Sequence, residues 1–141
     1  MIEIRELRIG NIVQFSSIID KACNVGNMMY RSATLSDGEH ITIPYSINEI
    51  YEVILTGDFL LGNGFEHQNG RFIARNGLEV DDALGWYVEL RETERCWILH
   101  VDNYATDNFG HYDGMVSCVH HLQNILTDCG LTELADNFKV K

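Results

Sequence analysis

Apolar residues recur along this chain with two periods, and the switch between them marks where strands give way to helix. Strict alternation puts every second side chain on the buried face of a sheet. It begins at residues 9–15, where Ile9, Val13 and Phe15 share one parity and Ile12 has the other. The signals weaken over 16–37, with Asn24, Gly26 and Asn27 suggesting turns and 28–35 a second strand. Asp37-Gly38 predicts a turn into 39–43, where Ile41 and Ile43 flank Thr42. Pro44 follows, and because proline has no N–H to give a ladder, it should end that strand or hold it at a sheet edge.

The pattern then changes. Thr56 can cap a short helix near 57–63, with Leu55, Phe59 and Leu60 as its apolar face and Gly64 as its left-handed stop. Asn69-Gly70 is a strong hairpin signal joining 65–68 to 71–75, and Asn76-Gly77 repeats it before 78–80. Trp86, Val88 and Leu90 alternate, a charged turn passes through Glu92, Thr93 and Glu94, and Trp97, Leu99 and Val101 alternate on the return. Farther on, Met115, Cys118, Val119, Leu122, Ile125, Leu126 and Cys129 form one helical stripe. That stripe predicts a long helix over 115–129, capped by Asp113 and stopped by Gly130. Residues 131–141 leave room for a turn and a last strand.

These elements predict an α+β fold: a curved, partly barrel-like antiparallel sheet of about six strands, with the 115–129 helix packed across one face. A length of 141 residues, an apolar fraction of 45% and a single proline point to one domain over 1–141.

Charge narrows the function classes. Lys and Arg number 10 against 21 Asp and Glu, a net charge of −11, and the cations are scattered. Such a chain repels nucleic acid, whose binding needs clustered cations to neutralise phosphates. Between Cys96 and Phe138 there is no Lys or Arg, while Asp102, Asp107, Asp113, Asp128, Glu133 and Asp136 fall there. A solubilising surface explains this, and so does an acidic face for a basic partner. No apolar run approaches the roughly 18 residues of a membrane span, and the charged start does not read as a signal peptide. Cysteines at 23, 96, 118 and 129 lack C-x-x-C spacing, which suits a reducing cytoplasmic setting.

The phosphate-loop, dinucleotide, zinc-protease, serine-hydrolase and zinc-deaminase patterns do not occur. The Asp- and Gly-rich stretch over 102–114 fails as a calcium loop, because Tyr104 stands where an oxygen ligand is needed. His111, Asp113 and His120 are the candidate metal ligands, since imidazole and carboxylate suit zinc or iron. His121 diverges from His120 by about 100° on a helix, so only one of the pair can join them. Cys23, Cys96 or Cys118 with a neighbouring His would make a nucleophilic dyad, if the fold joined them. Tyr104, Phe109 and Tyr112 crowd the 102–114 stretch, read as a long loop, and are candidate interface anchors.

Four stretches together carry a resemblance. They are Glu6-Leu7-Arg8-Ile9-Gly10-Asn11, Ile54-Leu55-Thr56 with Phe59-Leu60-Leu61, Gly64-Phe65-Glu66, and Val119-His120-His121-Leu122-Gln123-Asn124. In order and spacing the chain resembles small uncharacterised proteins of Bacteroides-type genomes, their prophages and mobile elements. Phe59 stands where that family usually has Trp, and 16–43 is longer than its pattern. The resemblance implies a bacterial or phage cytoplasmic setting and an accessory role, and it assigns no catalytic residue.

The leading expectation is therefore a non-enzymatic accessory protein without a cofactor, whose partner is a protein with a basic surface. Self-association stays open. The alternatives are a small metal-dependent enzyme built on His111, Asp113 and His120, and an acidic decoy of a nucleic-acid-binding protein.

Overall fold

The computed structural model describes residue 8 and residues 11–14, 22–29, 32–36, 41–46, 51–78, 81–104 and 110–139, and divides into two compact units. The first comprises 1–54 and 118–124, the second 55–117 and 125–141. Each contains its own antiparallel sheet, and the α+β class expected from the sequence holds.

In the first unit, β1 (Ile12–Gln14), β2 (Ala22–Met29), β3 (Ser32–Ser36), β4 (Ile41–Ser46) and β5 (Tyr51–Glu52) pair in the order β4-β3-β2-β1-β5. The strand expected over 9–15 is present at its centre, and Ile9 and Phe15 lie outside the described residues. Successive strand residues face opposite ways, yet Ile12 and Val13 are both buried, so β1 is covered on both faces. The single strand expected over 28–35 is instead parts of two, β2 and β3, paired from Asn24↔Ser36 to Met29↔Ser32. Asn24, Gly26 and Asn27 lie inside β2, and the register shifts between Val25 and Asn27. Their turn signal marks a bulge, where an extra residue bends a strand without ending it. Pro44 sits within β4, the terminal strand of the sheet, as its missing N–H requires. The Asp37-Gly38 turn lies outside the described residues.

The second unit is a meander of β6 (Glu66–Gln68), β7 (Arg71–Leu78), β8 (Asp81–Glu92), β9 (Trp97–Asn103) and β10 (Gly110–Val116), in the order β10-β9-β8-β7-β6. The described residues thus form two linear sheets of five strands, in place of one barrel-like sheet of about six. Asn69 (φ 53°) and Gly70 (φ 77°) both occupy the left-handed region, as a two-residue hairpin turn demands. Asn76-Gly77 does not turn: β7 runs through it to Leu78 with a register shift between Asn76 and Leu78. Along β9 the alternation is complete, with Trp97, Leu99, Val101 and Asn103 buried and the residues between them half-buried.

Helix α1 (Gly57–Gly62) starts as the sequence predicts, the Thr56 hydroxyl accepting from the Phe59 N–H at 3.1 Å. Gly64 follows at φ +89°. The rings of Phe59 and Phe65 lie 5.5 and 6.3 Å from that of Phe138, and the Trp97 indole N–H donates to the Leu55 carbonyl at 3.0 Å. The α1 region is thereby packed into the core of its unit.

Helix α2 (Val119–Asp128) is shorter than the expected 115–129. Residues 110–116 pair along their whole length with 97–103, so their backbone groups are satisfied in a ladder and unavailable to a helix. Asp113 consequently caps nothing, and Met115 is 63% exposed on a strand. The other six residues of the stripe are buried. Gly130 ends the helix at φ +82°. Beyond it, Thr132–Asp136 form helix α3, correcting the expected last strand. The four residues of α3 after its Thr are Glu, Leu, Ala and Asp, and most of them are better helix than strand formers.

In the first unit, the opening residues of α2 are tied to β1 by polar groups. The Ile12 N–H donates to the Gln123 Oε1 at 2.8 Å, and the Asn11 side-chain amide to the Asn124 Oδ1 at 2.9 Å. The Arg8 N–H donates to the Asn11 Oδ1 at 2.7 Å, and its guanidinium to the Asn124 carbonyl at 3.3 Å. Residues near the start of the chain and in α2 are thus joined, and their polar groups perform a structural task.

Candidate functional site

The outer face of the second sheet collects the ionisable side chains that the inner face excludes. Two tripeptides of the same form, His100-Val101-Asp102 on β9 and His111-Tyr112-Asp113 on β10, run antiparallel. Their register pairs His111 with Asp102 and Asp113 with His100. Residues i and i+2 share a face, so the four side chains form a two-by-two array with each His flanked by both carboxylates.

The contacts close a ring. His100 Nδ1 lies 2.5 Å from Asp113 Oδ1, and its Nε2 2.7 Å from Asp102 Oδ2. His111 Nδ1 lies 2.8 Å from Asp102 Oδ1, and its Nε2 3.1 Å from Asp113 Oδ2. Every ring nitrogen meets a different carboxylate oxygen. A neutral imidazole carries only one N–H, so both nitrogens of a ring can donate only when it is an imidazolium.

At two of the four groups the electrostatics favour the charged form. The hydrogen bond to Asp113 raises the His100 pKa above its ordinary value, helped by Asp102 and opposed by burial. For Asp102, burial pushes the carboxyl up, but the bonds from His111 and His100 and their charges outweigh it and hold it below its usual range. On β8, Tyr87 packs edge-on to His100 at 6.3 Å and donates to Glu89 Oε1 at 2.8 Å. Burial and that bond to Glu89 push the phenol up to about 12, so Tyr87 stays a neutral donor. Arg71 pairs with the same Glu89 oxygen at 3.1 Å.

The structure brings His111 and Asp113 together, as the metal alternative requires, but places them on a strand and not in a loop. His120 belongs to the other unit, 3% exposed in α2, with its Nδ1 3.3 Å from the Cys118 Sγ. That contact joins a thiol and an imidazole, and both are buried away from solvent. Among the described residues, no group of three or more His, Cys, Asp or Glu is disposed to hold a metal ion. In the His–Asp array the reason is geometric: the nitrogens face the carboxylates of the set and not a common point.

Of the candidate anchors, Tyr104 is 43% exposed just beyond β9. Tyr112 is half-buried and donates its hydroxyl to the Met115 carbonyl at 2.8 Å. Phe109 lies outside the described residues. His100 and Asp102 were not singled out from the sequence as partners of His111 and Asp113, although the repeated H-x-D tripeptide was the signal. No protein-family model, curated protein or solved structure matches the chain. Among the described residues, no helix is long and apolar enough to cross a membrane.

Proposed function

We propose that the protein is a non-enzymatic accessory protein of the bacterial or phage-infected cytoplasm, and that it works by docking a protein with a basic surface. One observation carries the reading. β10 sets Asp113, its side chain 61% exposed, two residues from Met115, 63% exposed, and Tyr104, 43% exposed, follows the end of the paired strand β9, all within a stretch of sequence that has no Lys or Arg. An arriving guanidinium or ammonium would take these carboxylates in exchange for the histidine side chains. The exposed Met and Tyr supply apolar contact, and Tyr is enriched at such interfaces. β10 is the terminal strand of its sheet, so an extended basic segment can add to it as a further strand.

Affinity capture from bacterial lysate, with mass spectrometry of the bound proteins, tests this. Basic proteins should be retained at low salt and released at 1 M, where the Debye length falls to about 3 Å. Replacing Asp102 and Asp113 together by Asn should abolish retention, and Tyr104→Ala should weaken it. Salt-insensitive capture of acidic proteins, or tight binding to duplex DNA in a mobility assay, would refute the reading.

A further inference from the structure

Two successive rows on the inner face of the second sheet are apolar, and the next row breaks the pattern. Phe72, Leu90 and Leu99 are cross-strand neighbours, and Ala74, Val88 and Val101 form the next row. One step on, the row is Asn76, Trp86 and Asn103. β7 and β9 both switch to asparagine, in register, on either side of a tryptophan, Asn76 exposed and Asn103 buried. Asn103 is 1% exposed. A buried amide is costly unless it is hydrogen-bonded, and its Nδ2 donates to the Cys129 carbonyl at 2.8 Å. Such local departures from core patterning are expected where function asks for them.

That row forms one wall of a cavity of about 370 Å³, with Glu133 and Asn137 on another wall. The volume lies within the range of about 300–1,000 Å³ typical of small-molecule sites. The described lining residues all belong to the second unit. The lining chemistry selects a ligand class. Each Asn amide both donates and accepts, Glu133 accepts, and hydroxyl groups do both. Trp86, half-buried, offers an aromatic surface for the apolar C–H face of a saturated ring. Among the described residues no Lys or Arg lines the cavity, and a phosphate or carboxylate ligand would meet the negative charge of Glu133.

We infer that this cavity binds a neutral sugar ring, through the amides of Asn76 and Asn137 and the carboxylate of Glu133, with Trp86 as its platform. A free monosaccharide and the terminal residue of a glycan share this chemistry.

Protein-observed NMR with the full chain tests the assignment, using glucose, galactose, mannose and N-acetylglucosamine as probes. At least one should produce saturable shifts of the Trp86 indole N–H and of the cavity amides. The Trp97 indole, which does not line the cavity, is the internal reference and should stay put. Asn137→Ala and Glu133→Gln alter exposed residues, so the fold should persist by the unchanged remainder of the spectrum, while affinity falls at least tenfold. Binding retained by the methyl glycoside points to a glycan terminus, and binding lost points to the free sugar. Absence of saturable shifts with every sugar, shifts that survive both substitutions, or saturable binding of adenosine alone would overturn the assignment.

Discussion

Two polar clusters in this protein are built from opposite materials. The one joining β1 to α2 uses neutral amides: Asn11, Gln123 and Asn124, of which Asn11 and Gln123 are 3% exposed. The one on β9 and β10 uses His100, Asp102, His111 and Asp113, all at least partly exposed. An amide keeps its donors and acceptors at any ordinary pH, so it can be buried once its partners are in place. A His–Asp pair changes its hydrogen-bond inventory when a proton leaves, and burying the ions costs several kcal/mol each. The first cluster therefore suits permanent attachment of one element to another. The second suits a surface whose charge a partner or the solvent can alter.

The comparison can be broken most forcefully at the apolar floor beside the amides. Leu122 is fully buried, so Leu122→Ala should destabilise the protein by about 2–5 kcal/mol, the range for large-to-small core changes. A smaller loss in urea denaturation would mean that α2 is not held as described. Next comes the amide itself. Gln123→Ala strands the Ile12 N–H and should cost about 1–3 kcal/mol, the penalty for an unsatisfied buried donor. Loss of protection of that single amide in hydrogen exchange distinguishes a broken bond from general loosening.

The ionisable cluster should respond to pH where the amides do not. His100 has its pKa raised on folding, so its contribution is complete below the unfolded value near 6.5 and disappears as pH rises through the folded value. Asp102 is lowered, so its contribution is complete above an unfolded value near 3.9 and is lost as pH falls through the folded value. The ring is accordingly strongest between roughly pH 4 and 6.5. There His100→Gln should cost about 0.2–1 kcal/mol, as partly exposed pairs do. The difference from the native protein should shrink as pH rises through the folded value of His100, whereas the deficit of Gln123→Ala should not change with pH. A His100→Gln deficit that grows with pH would sink the proposed protonation state. The smallest effect is expected at Met115. On an exposed strand position, Met115→Ala should change stability by less than about 0.5 kcal/mol, whereas a place in the helical core stripe would cost several times more.

The same contrast governs what could be read in advance. Local chemistry was legible where one short segment suffices: the Thr56 cap, the Gly64 and Gly130 stops, the Asn69-Gly70 turn, the Pro44 edge and the alternation of Trp97, Leu99 and Val101. Each depends on backbone sterics or side-chain parity within a few residues. Met115 shows where that reasoning fails. Its spacing to Cys118 and Val119 satisfies a helix, but a seven-residue ladder with β9 offered the backbone another set of partners. Asn76-Gly77 fails likewise, since the pairing of β7 with β8 decides whether that dipeptide turns or bulges.

Composition, charge and residue pattern by themselves determined that the chain is an acidic α+β protein with alternating strands and one amphipathic helix. Only tertiary structure decided that the described residues form two five-stranded sheets, that Gln123 and Asn124 meet Asn11 and Ile12 more than a hundred positions away, and that His111 and Asp113 find His100 and Asp102 while His120 is buried beside Cys118. Periodicity states which face of an element is buried. Register states which residues of another element that face will meet, and it is set by the summed pairing of whole strands.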